Sequence, residues 1–155
     1  MKITKAETAG FCFGVNRAVN MVYDLLDSGK QVCTLGPIIH NPQLVAELEG
    51  RGVRIVSSPE EVKEGETLVI RSHGVEKSVY DDACNLGVDV ADATCPFVAK
   101  IHKIVAENSA KGAVTIIAGD RDHQEVKGII GHCLGEYFVV ASEEELDVIL
   151  EKERK

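Results

Sequence analysis

An α/β fold made of two repeated parallel-sheet units is predicted for this chain of 155 residues, and three observations predict it. Short apolar runs alternate with longer amphipathic stretches, the pattern of strands linked by crossover helices. The chain also repeats itself: a shift of 83 residues, without gaps, brings its scarcest residues onto one another. Finally, Cys and His occupy the loops just past predicted strands, where parallel α/β units gather their ligands.

The strands are read at Met1–Lys5, Gln31–Leu35, Val53–Val56, Thr67–Arg71, Val88–Asp92, Val114–Ile117 and Tyr137–Val140. Each is a short run rich in apolar residues. Helices are read at Asn16–Ser28, Asn41–Arg51, Glu76–Leu86, Phe97–Ala110 and from Glu143 to near the end. Ser58-Pro59-Glu60-Glu61 and Ser142-Glu143-Glu144-Glu145 both have the form of a helix start, a capping serine followed by acids that suit the dipole. The tail Glu151-Lys152-Glu153-Arg154-Lys155 reads as a solvated charge run.

Under the 83-residue shift Cys12 falls on Cys95, Gly36 on Gly119, His40 on His123, and Arg17 on Lys100. Coincident glycines alone carry little weight, whereas coincident Cys and His at one offset define a repeat. The first unit is placed at residues 1–83 and the second at 84–155. A complete second unit would run to roughly residue 166, so the chain is expected to stop short of it.

Composition narrows the function classes. Hydrophobic residues make up 45% and charged residues 27%, the balance of an ordinary globular domain. A formal net charge of −8 argues against nucleic-acid binding, and no apolar run is long enough to cross a bilayer. Five cysteines, an odd number, with no export segment before them, point to free thiols in a reduced cytoplasmic setting.

Cys12 and Cys95 each stand before a predicted helix, where the dipole and free N–H groups favour a thiolate. Brought together by the repeat, they can begin a thiolate-bound metal centre; buried, inert thiols are the alternative. Cys33, Cys84 and Cys133 have no repeat partner and are read as structural. His40, His73 and His123 lie past strand ends and can donate hydrogen bonds to a phosphate or diphosphate. His102 and His132 lack such settings. Glu125 reads equally as a proton donor near a buried centre and as a first-turn helix acid.

The segments Gly10-Phe11-Cys12-Phe13-Gly14-Val15-Asn16-Arg17-Ala18, Ile39-His40-Asn41, Ser72-His73-Gly74-Val75, Asp92-Ala93-Thr94-Cys95-Pro96 and His123-Gln124-Glu125-Val126 together resemble the 4-hydroxy-3-methylbut-2-enyl diphosphate reductase (LytB) family, in family order and over nearly the whole chain. The resemblance implies an iron–sulfur reductase of the methylerythritol phosphate route to isoprenoids. Such enzymes remove the allylic hydroxyl of their diphosphate substrate with two electrons and protons, giving isopentenyl and dimethylallyl diphosphate. It implies three α/β lobes around a [4Fe–4S] cluster held by three cysteines, with the fourth iron open to the substrate hydroxyl. By position, Cys12 and Cys95 would be cluster ligands, His40, His73 and His123 would hold the diphosphate, and Glu125 would serve proton delivery. The electron donor implied is a ferredoxin or flavodoxin.

One departure stands inside the motif, where the family's usual His-Pro-Glu is His123-Gln124-Glu125. The third cysteine and the third lobe would lie past Lys155. The 155-residue chain alone is therefore expected to hold no intact cluster, to be inactive, and to self-associate through its uncovered face. A non-catalytic iron–sulfur module and a phosphate-binding α/β module are the alternatives.

Overall fold

The computed structural model describes residues 1–153; Arg154 and Lys155, the end of the expected charge run, lie outside the described residues. Two parallel sheets organise the chain, as the strand–helix alternation predicts. The first contains β1 (Gln31–Leu35), β2 (Arg54–Val56), β3 (Glu66–Ile70) and β4 (Asp89–Asp92), in the order β2-β1-β3-β4. The second pairs β5 (Thr115–Ala118) with β6 (Tyr137–Val140). Helices α1 (Phe13–Asp27), α2 (Pro42–Gly50), α3 (Lys77–Asn85), α4 (Pro96–Ser109), α5 (Gln124–Ile130) and α6 (Glu143–Glu153) alternate with the strands.

The repeat is visible as element order. The series α1, β1, α2, β2 recurs as α4, β5, α5, β6 at the offset read from Cys and His. Helix α5 was absent from the helices read by periodicity; with only seven residues it shows too few turns to reveal a stripe. The shift itself points to it, because α2 moved by 83 residues lands there.

Three expectations are corrected. Met1–Lys5 forms no strand, and Met1 and Ile3 are fully to largely exposed. A strand needs a neighbour to satisfy its backbone, and among the described residues this segment pairs with no strand and is left to solvent. Second, β4 pairs with β3 from Thr67 opposite Asp89 to Ile70 opposite Asp92. The first sheet therefore runs to Asp92, past the division at residue 83, because the opening strand of the second unit adds to the sheet of the first. Third, the serine starts differ. Ser142 caps α6 through Oγ, which accepts from Glu145 N, whereas Ser58 precedes a single 3₁₀ turn over Pro59–Glu61. Val62 is already extended there, leading the chain into β3.

The core sits on both faces of the first sheet. On one face Ala18, Val19 and Val22 of α1 meet Val32, Ile38, Leu48 and Val69. On the other, Cys33, Leu35, Val56, Leu68 and Ile70 meet Val75, Val79 and Tyr80. Every residue of β3 is buried, as a central strand covered on both faces requires. Among the described residues no helix is long and apolar enough to cross a membrane.

Candidate functional site

Both matched cysteines are helix N-caps. Cys12 caps α1 and is exposed; Cys95 caps α4 and is partly buried, with Pro96 in the first helical position. Neither thiol caps its helix by a hydrogen bond, so each sulfur stays available beside free N–H groups and the positive end of a dipole. They are neighbours: a Cβ added at Gly14, two residues past Cys12, would stand 2.7 Å from the Sγ of Cys95. Only glycine lets the Cys95 sulfur approach the first turn of α1 this closely.

The loop carrying Cys95 is fastened at several points. Arg17, on α1, donates through Nη1 to Thr94 O at 3.1 Å and through Nη2 to Asp92 O at 3.2 Å. Thr94 N donates to Asp92 Oδ1, and the Tyr80 hydroxyl meets Thr94 Oγ1 at 3.2 Å. Burial pushes the Tyr80 phenol up to about 12, so it stays protonated and able to donate. Cys95 N donates to Ser72 O at 2.9 Å, joining this loop to the one that carries His73. Arg17 has a repeat equivalent in Lys100, yet its role needs a forked donor and cannot be read from the charge alone.

Three histidines from three loops converge. The rings of His40 and His73 have centroids 5.2 Å apart, and those of His73 and His123 are 6.3 Å apart at 81°. His40 directly precedes Asn41, whose Oδ1 caps α2 by accepting from Leu44 N at 3.0 Å. His123 is itself the N-cap of α5; its Nδ1 accepts from Glu125 N at 3.2 Å. That bond makes Nδ1 the acceptor and places the neutral ring's proton on Nε2, free to donate outward. His73 follows β3, and its Nδ1 is buried without a hydrogen-bond partner. Burial, then the nearby His40 and Arg71, hold its pKa below the usual histidine value; the Glu125 carboxylate opposes them. His73 thus favours its neutral form and would gain a proton more readily beside an anion.

The other cysteines and histidines lie apart from these two groups. Cys33 is fully buried in β1, and desolvation raises its thiol to about 11. Cys84 lies exposed on α3, and burial raises the Cys133 pKa. His102 and His132 stack with centroids 4.2 Å apart where the two units meet, His132 Nε2 lying 3.2 Å from Val75 O. Burial and the charge of His132 bring His102 down to about 4. Periodicity offered no sign of this pair, since its two members come from different elements.

Two cysteines at helix N-termini, with three histidines gathered in neighbouring loops, mark an α/β protein whose candidate site lies at the junction of its loops. Residues 3–155 match the family model described as LytB protein, and the chain belongs to that family. It is 49% identical over 149 residues to the 4-hydroxy-3-methylbut-2-enyl diphosphate reductase of Thermoanaerobacter sp. (strain X514), covering 94% of this chain and 52% of the relative. Over 145 residues it is 46% identical to the reductase of the same name from Geobacter sulfurreducens, covering 94% of this chain and 51% of the relative. A solved structure of (E)-4-hydroxy-3-methyl-but-2-enyl diphosphate reductase, described as the terminal enzyme of the non-mevalonate pathway, superposes with a TM-score of 0.82 at 43% identity, over 94% of this chain and 53% of that one. The Plasmodium falciparum E-1-hydroxy-2-methyl-but-2-enyl-4-diphosphate reductase superposes with a TM-score of 0.85 at 27% identity, over 91% of this chain and 45% of that one. The chain spans about half the length of the curated relatives it matches.

Proposed function

We propose that this chain supplies two lobes of an iron–sulfur reductase that converts 4-hydroxy-3-methylbut-2-enyl diphosphate to isopentenyl and dimethylallyl diphosphate. The single observation that carries this reading is the junction of two ligand sets. The Cys12–Cys95 pair and the His40, His73 and His123 cradle are joined through the Cys95 N to Ser72 O bond. A [4Fe–4S] cluster suits the donor chemistry, since two thiols stand unpaired at helix N-termini with one sulfur packed on Gly14. Among the described residues no group of three His, Cys, Asp or Glu side chains is arranged to hold a metal ion. A third ligand from a further lobe is part of the proposal.

When bound, the cluster supplies electrons and a Lewis-acidic iron for the allylic hydroxyl. The chain's own residues do the rest. His40 and His123 donate to the diphosphate oxygens, and His73 takes up a proton as the anion arrives. Glu125, at the first turn of α5 and close enough to His73 to act on its charge, relays a proton to the departing hydroxyl. The balance is two electrons and two protons in, one water out, with a ferredoxin or flavodoxin as donor. The setting in this reading is cytoplasmic, which the odd count of five cysteines suits.

The test is anaerobic reconstitution of the full-length polypeptide with iron, sulfide and a strong reductant, followed by product analysis. Consumption of the allylic diphosphate is expected; a protein that assembles a cluster and leaves the substrate intact overturns the enzymatic reading. The 155-residue chain alone is expected to bind far less than four irons and to turn over nothing. Phe11, Phe13 and Phe97, exposed beside the cysteines, support its self-association, which sedimentation would reveal.

A further inference from the structure

Arg71 touches the root of each histidine loop. Its own carbonyl accepts from Gly74 N at 3.0 Å, closing the turn that presents His73. Its Nη1 lies against Gly36, where an added Cβ would come within 2.7 Å, and Gly36 begins the stretch that leads to His40. At Gly36 φ is +66°, so the residue is held open to the guanidinium by both its backbone and its missing side chain. Nη2 donates to Gln124 Oε1, and Gln124 is the first residue of α5, directly after His123. A proline at this position would offer no side-chain acceptor, so the departure noted in the motif is what ties Arg71 to the third loop.

The charge of this guanidinium is unanswered. Arg71 is partly buried, its Nε is buried without a hydrogen-bond partner, and it takes part in no ion pair among the described residues. Its side-chain partner is a neutral amide. A half-buried cation without a carboxylate is costly unless an anion completes it, and imidazoles carry no fixed positive charge to match that of a diphosphate. We infer that Arg71 is the positioning residue of the histidine cradle, bracing its three loops through Gly36 and Gln124 and supplying the fixed positive charge for a diphosphate-class ligand. This rests on the anion-binding role given to the histidines above and adds the residue that organises them.

The test uses the full-length protein with inorganic pyrophosphate as probe, read by calorimetry and by NMR titration of His73. The charged groups facing His73 are His40, Arg71, Glu125 and His123. Arg71→Gln is expected to weaken pyrophosphate binding about tenfold or more and to raise the His73 pKa. Arg71→Lys should restore the His73 titration but only part of the affinity, since an ammonium cannot reach Gly36 and Gln124 together. Gln124→Pro, with the charge intact, should lose affinity about two- to fivefold. Affinity and titration unchanged in Arg71→Gln would overturn the inference. Should that variant not fold, unchanged affinity in both Arg71→Lys and Gln124→Pro would do so. Wild-type protein that binds no pyrophosphate overturns the histidine reading itself, and the role of Arg71 with it.

Discussion

The two units share an element order and differ in how far they are closed. In the first, β3 is buried along its whole length and β1 along all but its first residue, between helices on both faces. In the second, β5 and β6 form a two-stranded sheet in which only Ile117 and Val140 are buried. One sequence pattern thus gives a fully packed sheet in one copy and a half-covered pair in the other. The number of neighbouring strands and helices, rather than the local pattern, decides how much each strand buries. Both main core clusters accordingly belong to the first sheet, while the site is built where the units meet.

Core truncation should break the symmetry most sharply. Leu68→Ala, in fully buried β3, is expected to cost about 2–5 kcal/mol in urea denaturation. Ile116→Ala, 42% exposed in β5, should cost under about 1 kcal/mol. Equal losses would show that the second sheet is as tightly packed as the first.

The junction between the units should respond to acid. The folded-state pKa of His102 is depressed to about 4 from an ordinary 6.5, so the unfolded chain binds the proton more readily. The stability this residue contributes is present above about pH 6.5 and is lost as pH falls toward 4, a change of about 3 kcal/mol. Thermal melts at pH 7 and pH 4.5 should show the loss in wild type and a smaller one in His102→Gln.

A smaller effect is expected from the clamp between units. Arg17→Ala removes two hydrogen bonds to the Cys95 loop and should cost about 1–3 kcal/mol. Its specific readout is faster alkylation of Cys95, with Cys12 unchanged. Smallest of all, Lys77→Ala breaks an exposed pair with Asp81 on α3 and should move stability by no more than about 0.5 kcal/mol.

The fold class was legible because parallel strands and crossover helices leave separate periods, and the site was legible because the repeat set Cys on Cys and His on His. Other features hid where partners decide the outcome. Met1–Lys5 has the composition of a strand but, among the described residues, no neighbour to pair with. Ser58 has the form of a cap, and the chain turns extended again at Val62. Arg71 carried no signal in sequence, since its contacts join residues 36, 71 and 124 across the fold. The His102–His132 stack was silent for the same reason.

The placement of β4 bears on how the protein is made. Its four residues open the second unit by sequence yet complete the first sheet by pairing with β3. During vectorial synthesis the first unit can collapse around β1, β2 and β3, but the most buried strand keeps one bare edge until Asp92 has left the ribosome. For that interval the nascent chain presents an apolar, unpaired strand, the kind of edge that recruits strands from other chains. The first unit therefore cannot finish folding on its own length of message: its last strand is delivered by the copy that follows.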